Sequence, residues 1–370
     1  MQSYTVYKVS EFLKDRHPYI PAKNPRPHID PDQVAIAYNE RAIPKLADLL
    51  VNSELSSQKR VETLHTLNEL VSHQETKVEM IRNNMVLSAT HLMADASEDV
   101  RCEAAKLVGS LFFIDIGRSQ FDLKEENYTI LKNLMLDKFA KVRECVGWMI
   151  SRLSLHKDGV SMMYNSGTIV KIVEAFNKFS QTLIEENYKF LIYLVDSLVN
   201  LAMYDFGIRH MLYKGLLRSF NKILLDSELY YAKHLNENIF EQFKGLILNT
   251  LKNIVLIDEG KTEALKEGLI ETVSNFLTSQ IVMERYTSTS FMMSMANNLE
   301  AKRNICNFVD KSGKYTILEK LCLLLEDKDE EVRSNSILAL KLLSQLPAGF
   351  LRIIDILHEK LKLLDDVQSL

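Results

Sequence analysis

An eight-residue pattern recurs seven times along the 370-residue chain. A chain with such a repeat builds its core between neighbouring copies rather than in one globule. The copies are ELVSHQET (69–76), SLFFIDIG (110–117), RLSLHKDG (152–159), NLAMYDFG (200–207), NIVLIDEG (253–260), SMANNLEA (294–301) and LLSQLPAG (342–349). Their second position is always apolar: Leu70, Leu111, Leu153, Leu201, Ile254, Met295 and Leu343. The last is glycine in five of the seven, and successive last positions lie 41, 42, 48, 53, 41 and 48 residues apart.

Each octapeptide closes a helical stretch. EDVRCEAAKLVGSL, AKVRECVGWMISRL and EEVRSNSILALKLL repeat apolar residues at intervals of three and four, the helical period. Val100-Arg101, Val142-Arg143 and Val332-Arg333 mark one shared point in three units. Asp115, Asp205 and Asp258 stand two residues before the closing glycine, where an Asp is expected to cap the next helix. The glycine is expected to take a backbone conformation that other residues avoid. Three units add a second glycine eight residues on (Gly159 to Gly167, Gly207 to Gly215, Gly260 to Gly268). The seven residues between suit two helical turns. TIVKIVEAF, LLRSFNKIL and LIETVSNFL follow, with apolar and polar positions in common.

One unit therefore reads as a long helix, a short helix and a third helix. The spacing falls around the ~40–47 residues of armadillo and HEAT units. The expected fold is all-α, an armadillo/HEAT-type right-handed superhelical solenoid of about seven repeats, with two-helix HEAT packing as the competitor. Leu111, Leu153, Leu201 and Ile254 are expected in equivalent core places. The polar positions of the third helices, Lys171, Glu174, Ser219, Lys222, Thr272 and Asn275, are expected to form an inner face that meets partners.

Five of the seven prolines fall between Pro18 and Pro31. Proline is costly inside helices, ~3 kcal/mol or more. Residues 1–31 thus read as an extended arm and 32–370 as the repeat array, with Pro44 in the first turn of a capping helix and a closing C-terminal helix. Up to Ile29 the arm carries Lys8, Lys14, Arg16, Lys23 and Arg26 against Glu11 and Asp15, so 5 − 2 = +3, and −4 − 3 = −7 remains for the body. Tyr4, Tyr7, Phe12, Arg16 and Tyr19 make the arm a second candidate partner surface.

Net charge −4 and pI near 6.2 leave no nucleic-acid footprint. There is no apolar run of spanning length, and the opening residues lack the apolar core of a leader peptide, so a cytoplasmic place is expected. In such a compartment Cys102, Cys145, Cys306 and Cys322 are expected as free thiols, mostly buried. No phosphate-binding glycine loop, nucleophile elbow or paired-histidine metal motif occurs. The expectation is no catalysis, no cofactor, no metal and no small-molecule substrate.

DQVAIAYNERAIPKLADLLVNSELSSQKRVETLHTLNELV (32–71) is similar to the opening of the armadillo-repeat radial spoke proteins of motile cilia. The match rests on Ala37, Tyr38, Arg41, Ala42, Ile43, Pro44, Lys45 and Leu46. It continues more thinly through EDVRCEAAKLVGSLFFIDIGR and EEVRSNSILALKLLSQLPAGF. The resemblance implies a structural subunit of the axonemal radial spoke, located in cilium or flagellum and bound to other spoke proteins. Asn83-Asn84 stands where a glycine precedes the third helix in that pattern, and Asn tolerates the same backbone. The other reading is a cytosolic or nuclear adaptor of importin or catenin type that binds peptide segments. Importin-type grooves repeat a Trp-Asn ladder on successive third helices, whereas the one tryptophan here, Trp148, stands in a long first helix.

Overall fold

The glycine-closed octapeptides fall at the junctions between helices in a computed structural model that describes residues 38–52, 54–181, 185–225, 237–309 and 316–368. The arm (1–31), with Tyr4, Tyr7, Phe12, Arg16 and Tyr19, lies outside these residues. The chain divides between Ala42 and Ile43, and the body from Ile43 onward is the solenoid.

Among the described residues every regular element is helical. Helix α1 (Tyr38–Val51) leads into long α2 (Ser57–Leu70), short α3 (Gln74–Arg82) and third helix α4 (Met85–Leu92). The same order recurs in α5 (Glu98–Leu111), α6 (Asp115–Asp122) and α7 (Glu125–Leu134), then α8 (Ala140–Ser154), α9 (Lys157–Asn165) and α10 (Thr168–Ser180). It continues with α11 (Tyr188–Leu201), α12 (Asp205–Leu212) and α13 (Leu216–Leu225), then α14 (Glu237–Ile254), α15 (Asp258–Lys266) and α16 (Leu269–Ser274). The last members are α17 (Val282–Met295), α18 (Leu299–Asn307), α19 (Ile317–Leu323), long α20 (Glu330–Leu343) and closing α21 (Pro347–Gln368). This three-helix unit is the armadillo plan and sets aside two-helix packing. Pro44 stands seventh in α1 rather than in its first turn, so α1 forgoes one backbone hydrogen bond there.

Each long helix packs on the next, from α2 through α5, α8, α11, α14 and α17 to α20. Leu111, Leu153, Leu201 and Ile254 are fully buried at matching places, each contributing roughly 1.5–3 kcal/mol.

The two glycine sets do different work. Gly167, Gly215 and Gly268 have φ of 71°, 69° and 71°, and Asn84 takes their place at φ 54°. The glycines that close the octapeptides do not have positive φ, contrary to expectation. A Cβ on Gly117, Gly159, Gly207, Gly260 or Gly349 would stand 2.3, 2.1, 2.2, 2.0 or 2.4 Å from the carbonyl oxygen six residues earlier. At these five junctions the long helix ends so close to the short one that no side chain fits. In the first unit Thr76 fills this place, and its hydroxyl donates to the Leu70 carbonyl at 2.5 Å. Asp115, Asp205 and Asp258 are also corrected. They are first helical residues behind Ile114, Tyr204 and Ile257, and no side chain caps these helices. Their charge instead favours the positive helix start.

The Val-Arg pairs have a structural cause. Arginine is the fourth residue of five long helices: Arg60, Arg101, Arg143, Arg285 and Arg333. Asp95, three residues before α5, accepts Arg60 on its carboxylate at 2.7 Å and Arg101 on its backbone carbonyl at 2.9 Å. Asp137 accepts Arg101 on its carboxylate at 3.2 Å and Arg143 on its carbonyl at 2.6 Å. Asp327 repeats the pattern with Arg285 at 2.6 Å and Arg333 at 2.6 Å. Arg143 reaches on to Asn187. Counted ten residues back from the closing core residue, Leu191 and Lys244 hold the equivalent place in α11 and α14, where Lys244 pairs instead with buried Glu284 at 3.3 Å.

Gly207→Ala should lower the thermal midpoint despite alanine's helix preference of about 1 kcal/mol. Gly245→Ala in α14, where nothing lies within 4 Å of the added carbon, should raise it. Paired melts with the same sign would refute the close-approach account. A second test uses pH. The Arg285 hydrogen bonds hold the Asp327 carboxyl below its ordinary range. A depressed folded value stabilises above the unfolded value of about 3.9 and is lost as pH falls through the folded one. Asp327→Asn should therefore melt lower than the parent at pH 7, and the gap should close below about pH 4.

Candidate partner-binding site

The stacked long helices present one continuous face. Counting five residues back from each closing core residue gives His65, Lys106, Trp148, Asp196, Asn249, Ser290 and Leu338. One residue back gives Glu69, Ser110, Arg152, Asn200, Asn253, Ser294 and Leu342. The two rows are four apart and so share a helical side.

A groove of ≈ 350 Å³ opens on this face. It is lined by Asn68 from α2, Lys106 and Ser110 from α5, Glu144, Cys145 and Trp148 from α8, and Tyr193 from α11. Its floor depends on missing side chains. A Cβ on Gly109 would stand 2.6 Å from the Trp148 ring, and one on Gly147 would stand 2.8 Å from the Phe190 ring. The Arg152 guanidinium lies 5.5 Å from the Trp148 ring and 5.9 Å from that of Phe113, within cation–π reach.

One amide, Asn68, lines the groove, and others follow along the same layer of long helices. Asn68 donates to Glu103, and its own side-chain oxygen is buried without a partner. Asn200 donates to Ser154 Oγ at 3.0 Å, and Asn253 to the Val199 carbonyl at 3.5 Å. Burial pushes the Asp196 carboxyl above its ordinary range, opposed by Arg152. Burial pulls the Lys252 ammonium down, with Tyr286 5.2 Å below it.

The six polar positions chosen from the sequence lie on α10, α13, α16 and the turn after α16. Lys171 and Lys214 both pair with Glu174, at 3.1 and 3.0 Å, and hold its carboxyl low. Ser219 donates to Asn177 at 2.7 Å, and buried Thr272 donates to Asn221 at 2.5 Å. The same asparagines donate forward to the Lys214 and Glu267 carbonyls, just before Gly215 and Gly268, at 2.9 and 2.6 Å. Lys132 does likewise to Ser166, before Gly167. Four of the six thus belong to hydrogen-bonded junctions within the solenoid, while Lys222 and Asn275 are exposed.

Sequence reasoning passed over Trp148 because it sits on a long helix, and the long helices carry the groove. The available signal was the four-residue pairing of Trp148 with Arg152, Asp196 with Asn200, and Asn249 with Asn253, in one register over three units. Cys102 and Cys145, read as free thiols, are joined in a disulfide with Cα atoms 5.5 Å apart. Consecutive long helices bring them together across 43 residues of sequence. Cys306 and Cys322 are buried free thiols, pushed up by that burial, Cys322 to about 11. Among the described residues no cluster of three or more acids, histidines or cysteines is placed to hold a metal, and no helix is long and apolar enough to cross a membrane.

No protein-family model matches the chain. No curated protein matches it either. Solved structures do. One engineered protein has a TM-score of 0.59 at 15% identity, covering 69% of this chain and 97% of its own. Another has a TM-score of 0.54 at 17% identity, covering 70% and 99%. A designed armadillo repeat protein reaches 0.48 at 15% identity, covering 81% and 99%. With the three-helix unit, the fold defines an α-solenoid of repeat type.

If the disulfide forms in solution, denatured non-reduced protein should titrate two thiols and reduced protein four. Four thiols without reductant would show that Cys102 and Cys145 are not bonded.

Proposed function

We propose that the protein is a non-catalytic scaffold that holds extended segments of other proteins along the face of its long helices. The observation that supports this most is the groove beside Trp148. There the aromatic side chains of Trp148 and Tyr193 meet Asn68, whose amide oxygen has no partner, and Asn200 and Asn253 continue the same face of the long helices at unit spacing. An extended segment has unpaired backbone groups at a similar rhythm, and side-chain amides satisfy both its donors and its acceptors. Phosphate loops and nucleophile motifs are missing from the sequence, so nothing in it recommends catalysis.

The finer reading is a structural subunit of the axonemal radial spoke, in the cytoplasm and axoneme of a motile cilium, bound to other spoke proteins. It rests on the likeness of residues 32–71 to that family's opening. The adaptor reading, importin- or catenin-like, is favoured by the Trp148–Arg152, Asp196–Asn200 and Asn249–Asn253 register. Two further surfaces are the alternatives to this face. One is the basic, aromatic arm (1–31) with Tyr4, Tyr7, Phe12, Arg16 and Tyr19. The other is the third-helix set Lys171, Glu174, Ser219, Lys222, Thr272 and Asn275.

Quantitative pull-down from ciliated cells discriminates among these. Trp148→Ala with Asn200→Ala and Asn253→Ala should lose partner capture, while helicity stays at the parent value. Lys171→Glu with Lys222→Glu should keep capture, because Lys171 serves an internal junction. The opposite pattern would move the site to the third helices, and loss only on deleting residues 1–29 would move it to the arm. Spoke subunits in the captured fraction support the axonemal role, and nuclear cargo supports the adaptor role.

A further inference from the structure

Six arginines stand on the long helices, and five are the fourth-position arginines that donate to carboxylates or carbonyls at the junctions. Arg152 is different. Among the described residues it has neither an ion pair nor a hydrogen bond, and its Nε is buried without an acceptor. Its charge rests against the Trp148 and Phe113 rings. A π face answers a positive charge but accepts none of the in-plane N–H donors of a guanidinium. Asp196, on the next long helix, is coupled to Arg152 electrostatically from beyond ion-pair distance. Arg101 and Arg143 also bury an Nε without an acceptor, but both donate through their terminal nitrogens, whereas Arg152 donates through none.

Position adds to chemistry. Arg152 occupies the row that holds Ser110 in the preceding unit and Asn200 in the following one, at the edge of the Trp148 groove. Two aromatic rings lie against the guanidinium, and a planar, forked donor oriented in this way suits a planar carboxylate.

We infer that Arg152 anchors a carboxylate carried by the partner, an aspartate or glutamate side chain of the extended segment in the groove. The inference rests on the groove reading proposed above and names what that groove selects. A single side chain of charge −1 fits better than a phosphate. Arg152 is one cation, Lys106 is already paired with Glu103 at 2.7 Å, and Glu144 and Asp196 stand close by to oppose a second negative charge. Asp196 is the built-in competitor for Arg152.

The test uses the full chain, immobilised, and pools of end-capped peptides that fix Asp, Glu, Asn, Gln, Lys or phosphoserine at a central position and randomise the rest. The Asp and Glu pools should be retained over the Asn and Gln pools by about tenfold, the scale of a charge-assisted hydrogen bond. Arg152→Gln should erase that preference with little change in the melt, since it removes no hydrogen bond or ion pair of the fold, only contacts with two rings. Asp196→Asn should enlarge it. Equal retention of acidic and amide pools, or a preference that survives Arg152→Gln, overturns the anchor while leaving the groove reading intact. Stronger retention of phosphoserine overturns the assignment to a carboxylate. Retention of no pool, with no change in the emission of the sole tryptophan, overturns both anchor and groove.

Discussion

The aspartate before a long helix is gripped twice, by two different atoms. Its carboxylate takes the arginine of the preceding unit, and its backbone carbonyl takes the arginine of its own. Asp95, Asp137 and Asp327 all do this. The first bond sets how one long helix lies on the next. The second ties the turn to the helix it introduces. Arg101 and Arg143 are buried, so removing one partner would strand a charge away from water, which is far more costly than losing a surface pair. The layer of long helices, and therefore the groove, inherits its spacing from these grips.

Close approach is the second constraint, enforced by absent side chains. The closing glycines let each short helix start against the end of its long helix. Gly109 and Gly147 let neighbouring long helices come near enough for Trp148 to lie across one and Phe190 across the other. The third helices add their own junctions, where Asn177 and Asn221 reach forward to carbonyls at the next left-handed turn. Every junction joins sequential neighbours, as expected of a solenoid whose stability is summed over adjacent interfaces.

Much of this was legible in the residues, because repetition turns one weak pattern into seven independent readings. The helix order and the core places of Leu111, Leu153, Leu201 and Ile254 follow from spacing, and the role of Asn84 from the glycine pattern of the resembled family. What spacing does not carry is the layer to which a helix belongs. Trp148 and Lys171 both sit on amphipathic helices with polar positions. Only the packing shows that the helix of Trp148 joins the stacked layer while Lys171 pairs at a junction. The glycine problem has the same origin, since a glycine needed for positive φ and one needed for contact look alike in a sequence. Cys102 and Cys145 are 43 residues apart, and their meeting depends on the register of two helices.

The double grip also bears on how such an array changes over generations. A unit bearing the aspartate and its arginine fits behind or ahead of any other such unit, so copies are interchangeable at their joints. Where the grip is present, the distance between copies is held to 41 or 42 residues in the early units. The long helices with Leu191 and Lys244 in place of the arginine fall in two of the three longer stretches, of 48 and 53 residues, and the third, also 48, keeps its grip at Asp327. In the two units without the arginine the added residues lie between the third helix and the next long helix, at the turn that the aspartate grip fixes elsewhere.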